Sequence, residues 1–297
     1  MNNLTATIGA ISCLAISQAF GAINVASDTD TGGWITISGN YDYLSDQQTG
    51  QPSSDIVGGS GGSYNIYDAG FFTHWDPGTA SNTDGTLGFR VRLDDHDGNN
   101  TPAYNGFLWV GIDADTSGSI DVFVGVDKQG NSSKIAIYDA GTDPNTSPST
   151  TSIAQNSYYS TDAVSGTNYS YREVNSLNDG GTTNDITTST SGDIDYYISF
   201  TVDFDRVVAF LNTQGISIND STPMRYVLAT ATQGQSLNQD LGQLPKNFDG
   251  SLTWEQLGTF SPTMTATGSV VPEPSTMLLG TCALPFFLRR RRRVCGD

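Results

Sequence analysis

The stretch IDYYISFTVDF, residues 194 to 204, decides the fold class. Ile194, Tyr196, Ile198, Phe200, Val202 and Phe204 alternate with Asp195, Tyr197, Ser199, Thr201 and Asp203. Side chains on a β-strand point to opposite faces in turn, so a period of two over this length predicts a strand with one face in a core and the other facing solvent. Working outward, similar short runs recur between turn clusters: 34–38, 64–67, 71–75, 87–93, 106–112, 120–126, 134–138, 169–174 and 224–232. Runs of this length separated by Gly, Asn, Asp and Ser predict an all-β protein, an antiparallel β-sandwich or jelly-roll-like fold. One short helix is expected after the opening stretch. Asp205 suits an N-cap, Val207, Phe210 and Leu211 fall on one face, and Gly215 suits the stop. The Ser/Thr/Gly/Asn/Asp-rich segments 139–166 and 175–193 read as long surface loops.

The body, residues 23–270, reads as a single β-sandwich domain, and both flanks differ from it in composition. Residues 1–22, MNNLTATIGAISCLAISQAFGA, hold an apolar core from Ile8 to Ile16 followed by small residues at Ala19 and Gly21, the arrangement of a cleaved signal peptide. Residues 271–297 read VPEPSTMLLGTCALPFFLRRRRRVCGD. Pro272-Glu273-Pro274 breaks any helix and leaves an extended junction. Met277 to Leu288 is apolar, but as a helix it covers only about 18 Å of a hydrocarbon core about 30 Å thick. Arg289, Arg290, Arg291, Arg292 and Arg293 then hold the segment at the cytoplasmic side during export, giving a transient membrane association.

This order of Pro-Glu-Pro, apolar run and arginine cluster resembles the PEP-CTERM sorting signal of Gram-negative bacteria. The likeness covers only about the last 25 residues. It implies recognition by an exosortase-type membrane enzyme, removal of the tail, and delivery to the cell surface or extracellular matrix. Pro272, Glu273 and Pro274 match the recognition triplet, and Arg289 to Arg293 match the basic anchor. This copy departs from the pattern in its short apolar run, in Pro285 within that run, and in the residues after Arg293.

Cysteine and charge fit that expectation. Cys13, Cys282 and Cys295 all lie in the flanks, so the body has no thiol for a disulfide framework or a thiolate metal site. The whole chain carries a formal charge of −18; without the five arginines and one aspartate of residues 275–297, residues 22–274 carry 8 basic and 30 acidic side chains, net −22. Nucleic acid is excluded as a partner, because binding it relies on Lys and Arg neutralising phosphates. Divalent cations and an exopolysaccharide are compatible partners.

Two constellations in the body carry candidate chemistry. Asp113, Asp115, Ser117 and Asp121 place oxygens at positions 1, 3, 5 and 9 around Gly118 at position 6, which resembles the first part of a calcium loop. Position 12 is Val124 rather than a bidentate glutamate, and an Asx turn between strands, common for Asp-rich loops, is the favoured reading of the same residues. If the strands from 87 to 138 run as a meander, Asp139 and Asp143 join this end, while Asp94, Asp95, Asp97, Asn99 and Asp127 gather at the other. In the same meander Trp109, Arg90 and Arg92 share the face opposite Val91 and Val110. Flat rings beside guanidinium groups are what a sugar-binding surface needs, though for Trp109 cover by a loop or by the second sheet is the favoured reading, since a patch of that size is rarely left exposed without a partner.

Catalysis has weaker support. The body holds two glutamates, Glu173 and Glu255, in no recognisable motif, and two histidines, His74 and His96, on separate segments. The sequence therefore points first to a non-enzymatic structural or adhesive protein of the cell surface or exopolysaccharide matrix. A calcium-assisted carbohydrate-binding module comes second, and a polysaccharide-acting enzyme last.

Overall fold

The structure is a computed structural model and describes residues 23–26, 33–37, 42–43, 46, 48, 52–58, 69–79, 81–95, 103–175, 184–186 and 194–271. The expected signal peptide and the tail with Pro272, Glu273, Pro274 and Arg289 to Arg293 lie outside the described residues, as does the expected strand 64–67. Two antiparallel sheets make up the fold. The first contains β1 (Ile35–Thr36), β2 (Phe71–Pro77), β3 (Gly85–Leu93), β8 (Tyr169–Glu173) and β9 (Tyr196–Asp203), in the order β1-β2-β3-β9-β8. The second contains β4 (Phe107–Asp113), β5 (Val122–Asp127), β6 (Lys134–Asp139), β7 (Ser157–Asp162), β10 (Arg225–Ala231) and β11 (Asp240–Leu241), in the order β11-β10-β4-β5-β6-β7.

The opening stretch becomes β9, paired with β3 so that Phe200 faces Phe89 and Ile198 faces Val91. These four side chains join Leu87, Leu93 and Val202 on the inner face of the first sheet. Leu108, Val110 and Ile112 of β4 and Val122, Val124 and Val126 of β5 cover them from the second. Tyr226 of β10 crosses between the layers, meeting Phe71 edge-on at 6.3 Å and Phe89 at 5.7 Å. Burial of this apolar surface, at about 25 cal/mol per Å², is what drives the two sheets together.

The outer faces are covered too, which the alternation in β9 does not reveal. Tyr197 and Ser199, expected at solvent, are buried. Trp34, Ala69, Phe72 and Val174 pack with Tyr197 over the outer face of the first sheet. On the second sheet Phe107, Trp109, Phe123, Val227 and Ala229 lie under Ile153, Leu241, Leu244 and Trp254. Gly125 makes this second layer possible. It sits opposite Trp109 in the register, and a Cβ there would stand 2.2 Å from the Leu108 carbonyl and 2.4 Å from the indole ring.

The helix forms where expected, as α1 (Phe204–Thr213), with Val207, Phe210 and Leu211 buried. Its N-cap is Asp203 rather than Asp205. Asp205 lies in the first turn, where its charge meets the positive end of the helix dipole. Gly215, at φ 81°, follows in the left-handed conformation expected of the stop. A further single-turn helix, α2 (Trp254–Leu257), corrects the expectation of one helix. Thr253 and Gln256 close a reciprocal capping box around its first turn. Segment 139–166 is not wholly loop, because it contains β7. That edge strand is polar and half exposed throughout, so it carries little apolar alternation; the ladder to β6 defines it.

Candidate functional site

The loop 113–121 joins β4 to β5, and Asp113, the last residue of β4, is fully buried. Its Oδ1 accepts the Ser117 amide at 3.0 Å and its Oδ2 accepts the Gly118 amide at 3.0 Å. Asp115 Oδ1 also accepts the Ser117 amide, and Asp121 Oδ2 accepts the Ala114 amide at 2.7 Å. Thr116 (φ 59°) and Gly118 (φ 89°) both take the left-handed conformation that brings these amides round. Asp113, Asp115 and Asp121 thus each bring a carboxylate oxygen within 4.8 Å of the others. Ser117 is exposed and enters this network through its amide. Three of the four sequence-predicted ligands therefore share one locus.

That locus also contains a cation of the protein's own. Arg225 faces Asp113 across the β10–β4 ladder, and its Nη2 lies 2.5 Å and its Nε 3.1 Å from Asp113 Oδ2. The same guanidinium reaches Glu255 Oε1 at 3.1 Å and lies 4.3 Å over the Phe260 ring. Burial raises the Asp113 carboxyl despite this arginine. It also pushes Asp121 up to about 7, helped by the charges of Asp115 and Asp113. The loop packs on segment 144–145, as meander geometry predicts: the Ser119 hydroxyl donates to the Pro144 carbonyl, and the Ile120 amide donates to the Asn145 carbonyl at 3.1 Å. Asp139 instead accepts the Gly141 amide at 3.0 Å.

The expected sugar platform is not assembled. Trp109 belongs to the second sheet, whereas Arg90 and Arg92 belong to the first, because β3 pairs with β2 and β9 and not with β4. These residues occupy opposite outer faces of the sandwich, and all three are buried. Trp109, 0% exposed, stacks on Phe107 at 5.5 Å and meets Tyr138 edge-on at 5.2 Å. The Arg90 guanidinium lies 4.3 Å over Trp34 and 5.1 Å over Tyr197, with Nε donating to Ser199 Oγ at 2.9 Å. Arg92 Nε donates to Asp195 Oδ2 at 2.6 Å, with neither side chain exposed. The arginines tie covering segments to the sheet rather than presenting themselves to a ligand.

The second acidic group expected from the meander is divided by the same partition. Asp94 lies with Asp185 and Asp195, its carboxylate within 4.8 Å of theirs, beside Arg92. Asp127, on the other sheet, accepts the Ser132 hydroxyl at 2.7 Å. Asp97 and Asn99 lie outside the described residues.

A further group escaped the sequence reading. Asp46, Asp55 and Asp240 are all buried, each with a carboxylate oxygen within 4.8 Å of the others. Asp42 stands close enough for the charges of Asp240, Asp46 and Asp55 to raise its carboxyl, after burial, which is the larger cause. Burial likewise holds Asp240 well above the usual carboxylate range and pushes Asp46 up to about 6. A crevice of about 20 Å³, room for roughly one water, opens beside Asp42 and is also lined by Ile56, Phe71, Tyr226 and Gln243. No local motif marks the group, since 184 positions separate Ile56 from Asp240, whose Oδ2 accepts the Ile56 amide.

Comparison with known protein families, with characterised proteins and with solved structures returns no match to this chain. Among the described residues no helix is long and apolar enough to cross a membrane.

Proposed function

We propose that this chain is an exported protein of the cell surface or exopolysaccharide matrix, with a structural or adhesive role. In this reading an exosortase-type membrane enzyme releases it from a transient membrane-held state. The single observation that carries the reading is the three-part tail: Pro272-Glu273-Pro274, a short apolar run, and Arg289 to Arg293. An apolar plug too short to span comfortably, anchored by arginines, marks a segment that halts export and is then removed. Two features of the body agree with such a destination. It is an antiparallel sandwich whose described cores contain no cysteine, so its packing does not depend on redox conditions. Its sequence is strongly acidic, which favours solubility and cation binding outside the cell. Intact-mass measurement on the secreted protein tests the reading. The expected species has lost residues 1–22 or so and ends near Pro272. Recovery of the 297-residue chain, arginines included, as the final form in the cytosol overturns it.

A further inference from the structure

We propose that Asp46, Asp55 and Asp240, flanked by Asp42, form a site for a divalent cation of the calcium class. The bound ion ties Asp42, Asp46 and Asp55 to Asp240 at the β10–β11 end of the second sheet. The inference is independent of the export reading and concerns residues other than the 113–121 loop.

Clustered carboxylates alone do not make an ion site, and the decisive observation is what Asp46 lacks. Asp46 is 8% exposed, yet neither its Oδ1 nor its Oδ2 has a donor in good hydrogen-bonding geometry, and only weaker contacts with the Asp46 and Lys246 amides and the Asp55 carboxyl temper its burial. Asp42 is 3% exposed, and its Oδ2 is unmatched in the same way. Buried carboxylate oxygens without donors are costly, and the penalty is removed when the group binds a proton or a cation. Asp195 Oδ1 is likewise unmatched, but the other two acidic groups each hold a guanidinium of the protein's own. Arg225 enters the Asp113 group at 2.5 Å, and Arg92 enters the Asp195 group at 2.6 Å. At Asp46 the basic influence is Lys246, whose charge only tempers the upward shift caused by burial.

The remaining oxygens are already oriented by main-chain donors. The Ile56 amide donates to Asp240 Oδ2 at 2.6 Å, and the Leu241 amide donates to Asp240 Oδ1 at 2.7 Å. Asp42 Oδ1 accepts the Tyr43 amide at 2.8 Å and the Gln243 amide at 3.0 Å, and Asp55 Oδ1 accepts the Asp46 amide at 3.2 Å. A carboxylate oxygen that accepts one amide keeps a lone pair for a metal, and such second-shell bonds fix the direction of that lone pair. The donor set is all oxygen, which selects a hard cation. A set of carboxylates drawn from separate segments suits calcium, which tolerates variable geometry, better than magnesium, which demands an octahedron.

The test uses the purified full chain stripped with chelator. Calcium chloride is titrated by calorimetry, with thermal melts run in parallel. Wild type is expected to bind calcium and to melt higher in millimolar calcium than in chelator, because a ligand held only by the native state raises the midpoint. Asp46→Asn is expected to weaken binding by roughly 10-fold or more and to lose most of the calcium-dependent rise. This variant is isosteric and removes no well-formed side-chain hydrogen bond, so its near-UV circular dichroism in chelator should match wild type, which separates a lost site from a lost fold. Asp121→Asn, in the β4–β5 loop, is expected to keep the response. Three results overturn the proposal: a wild-type midpoint unmoved by millimolar calcium, an undiminished response in Asp46→Asn, or a response abolished by Asp121→Asn alone.

Discussion

Arg92→Met tests whether the arginines of β3 hold the fold or await a ligand. Arg92 and Asp195 are both 0% exposed and 2.6 Å apart, and Asp195 also accepts the Ile186 amide at 3.1 Å. Removing one member of a buried ion pair leaves the other charge without its counter-charge, a loss of about 3–5 kcal/mol. Methionine preserves much of the packing volume, so the lower end, about 3 kcal/mol, is expected. At about 2–4 °C per kcal/mol for a body of this size, the midpoint should fall by roughly 6–12 °C. The loss should also depend on pH. Burial already pushes Asp195 up to about 7 while Arg92 pulls it down. Without Arg92 the carboxyl therefore takes up its proton more readily, so the destabilisation should be full near pH 8 and much smaller near pH 5. Replacing both members, with Arg92→Met and Asp195→Leu together, should recover most of the loss, because an apolar pair needs no counter-charge. The assay is denaturant or thermal unfolding at the two pH values. An Arg92→Met protein that unfolds like wild type at pH 8, or that loses the same amount at both, would mean that Arg92 is not the structural counter-charge of Asp195.

Trp109→Ala should cost about 3–5 kcal/mol by deleting a fully buried ring, seen as an earlier unfolding midpoint; a variant as stable as wild type would contradict the packed second layer under Trp254. The pH profile follows from Asp121 and Asp195, each raised by burial from an ordinary 3.8 to about 7. A raised carboxyl binds its proton more tightly in the native state, so its stabilisation is complete below about 3.8 and is lost as pH rises through about 7. In chelator, unfolding free energy should therefore decline between pH 4 and 7 and level off above, and a rise across that window would contradict the burial of these groups.

Much of the fold was legible because alternation is a local property. Ile198, Phe200 and Val202 were expected on one face of a strand and lie in the core between the sheets. Val207, Phe210 and Leu211 were expected on one helical face and are buried together. The capping box of Thr253 and Gln256 was equally present in the sequence but spans a single turn, too short for apolar periodicity to draw attention to it. Of the 113–121 site, the convergence of Asp113, Asp115 and Asp121 was readable from their spacing. The arginine that joins them was not, because Arg225 lies 112 positions away along the chain.

Local alternation and turn residues account for the strands other than β7 and β11, for most of the turns between them, and for the difference between the flanks and the body, all of which depend on neighbours a few positions apart. Tertiary structure alone decided that β3 pairs with β9 and not with β4, since apolar faces of equal quality carry no label for their partner. That one choice separated Trp109 from Arg90 and Arg92, and the approach of distant segments likewise brought Asp46 and Asp55 to Asp240 in the interior. Whether a charge is paired, buried or available to an ion depends on what approaches through space, and the order of residues along the chain does not contain that distance.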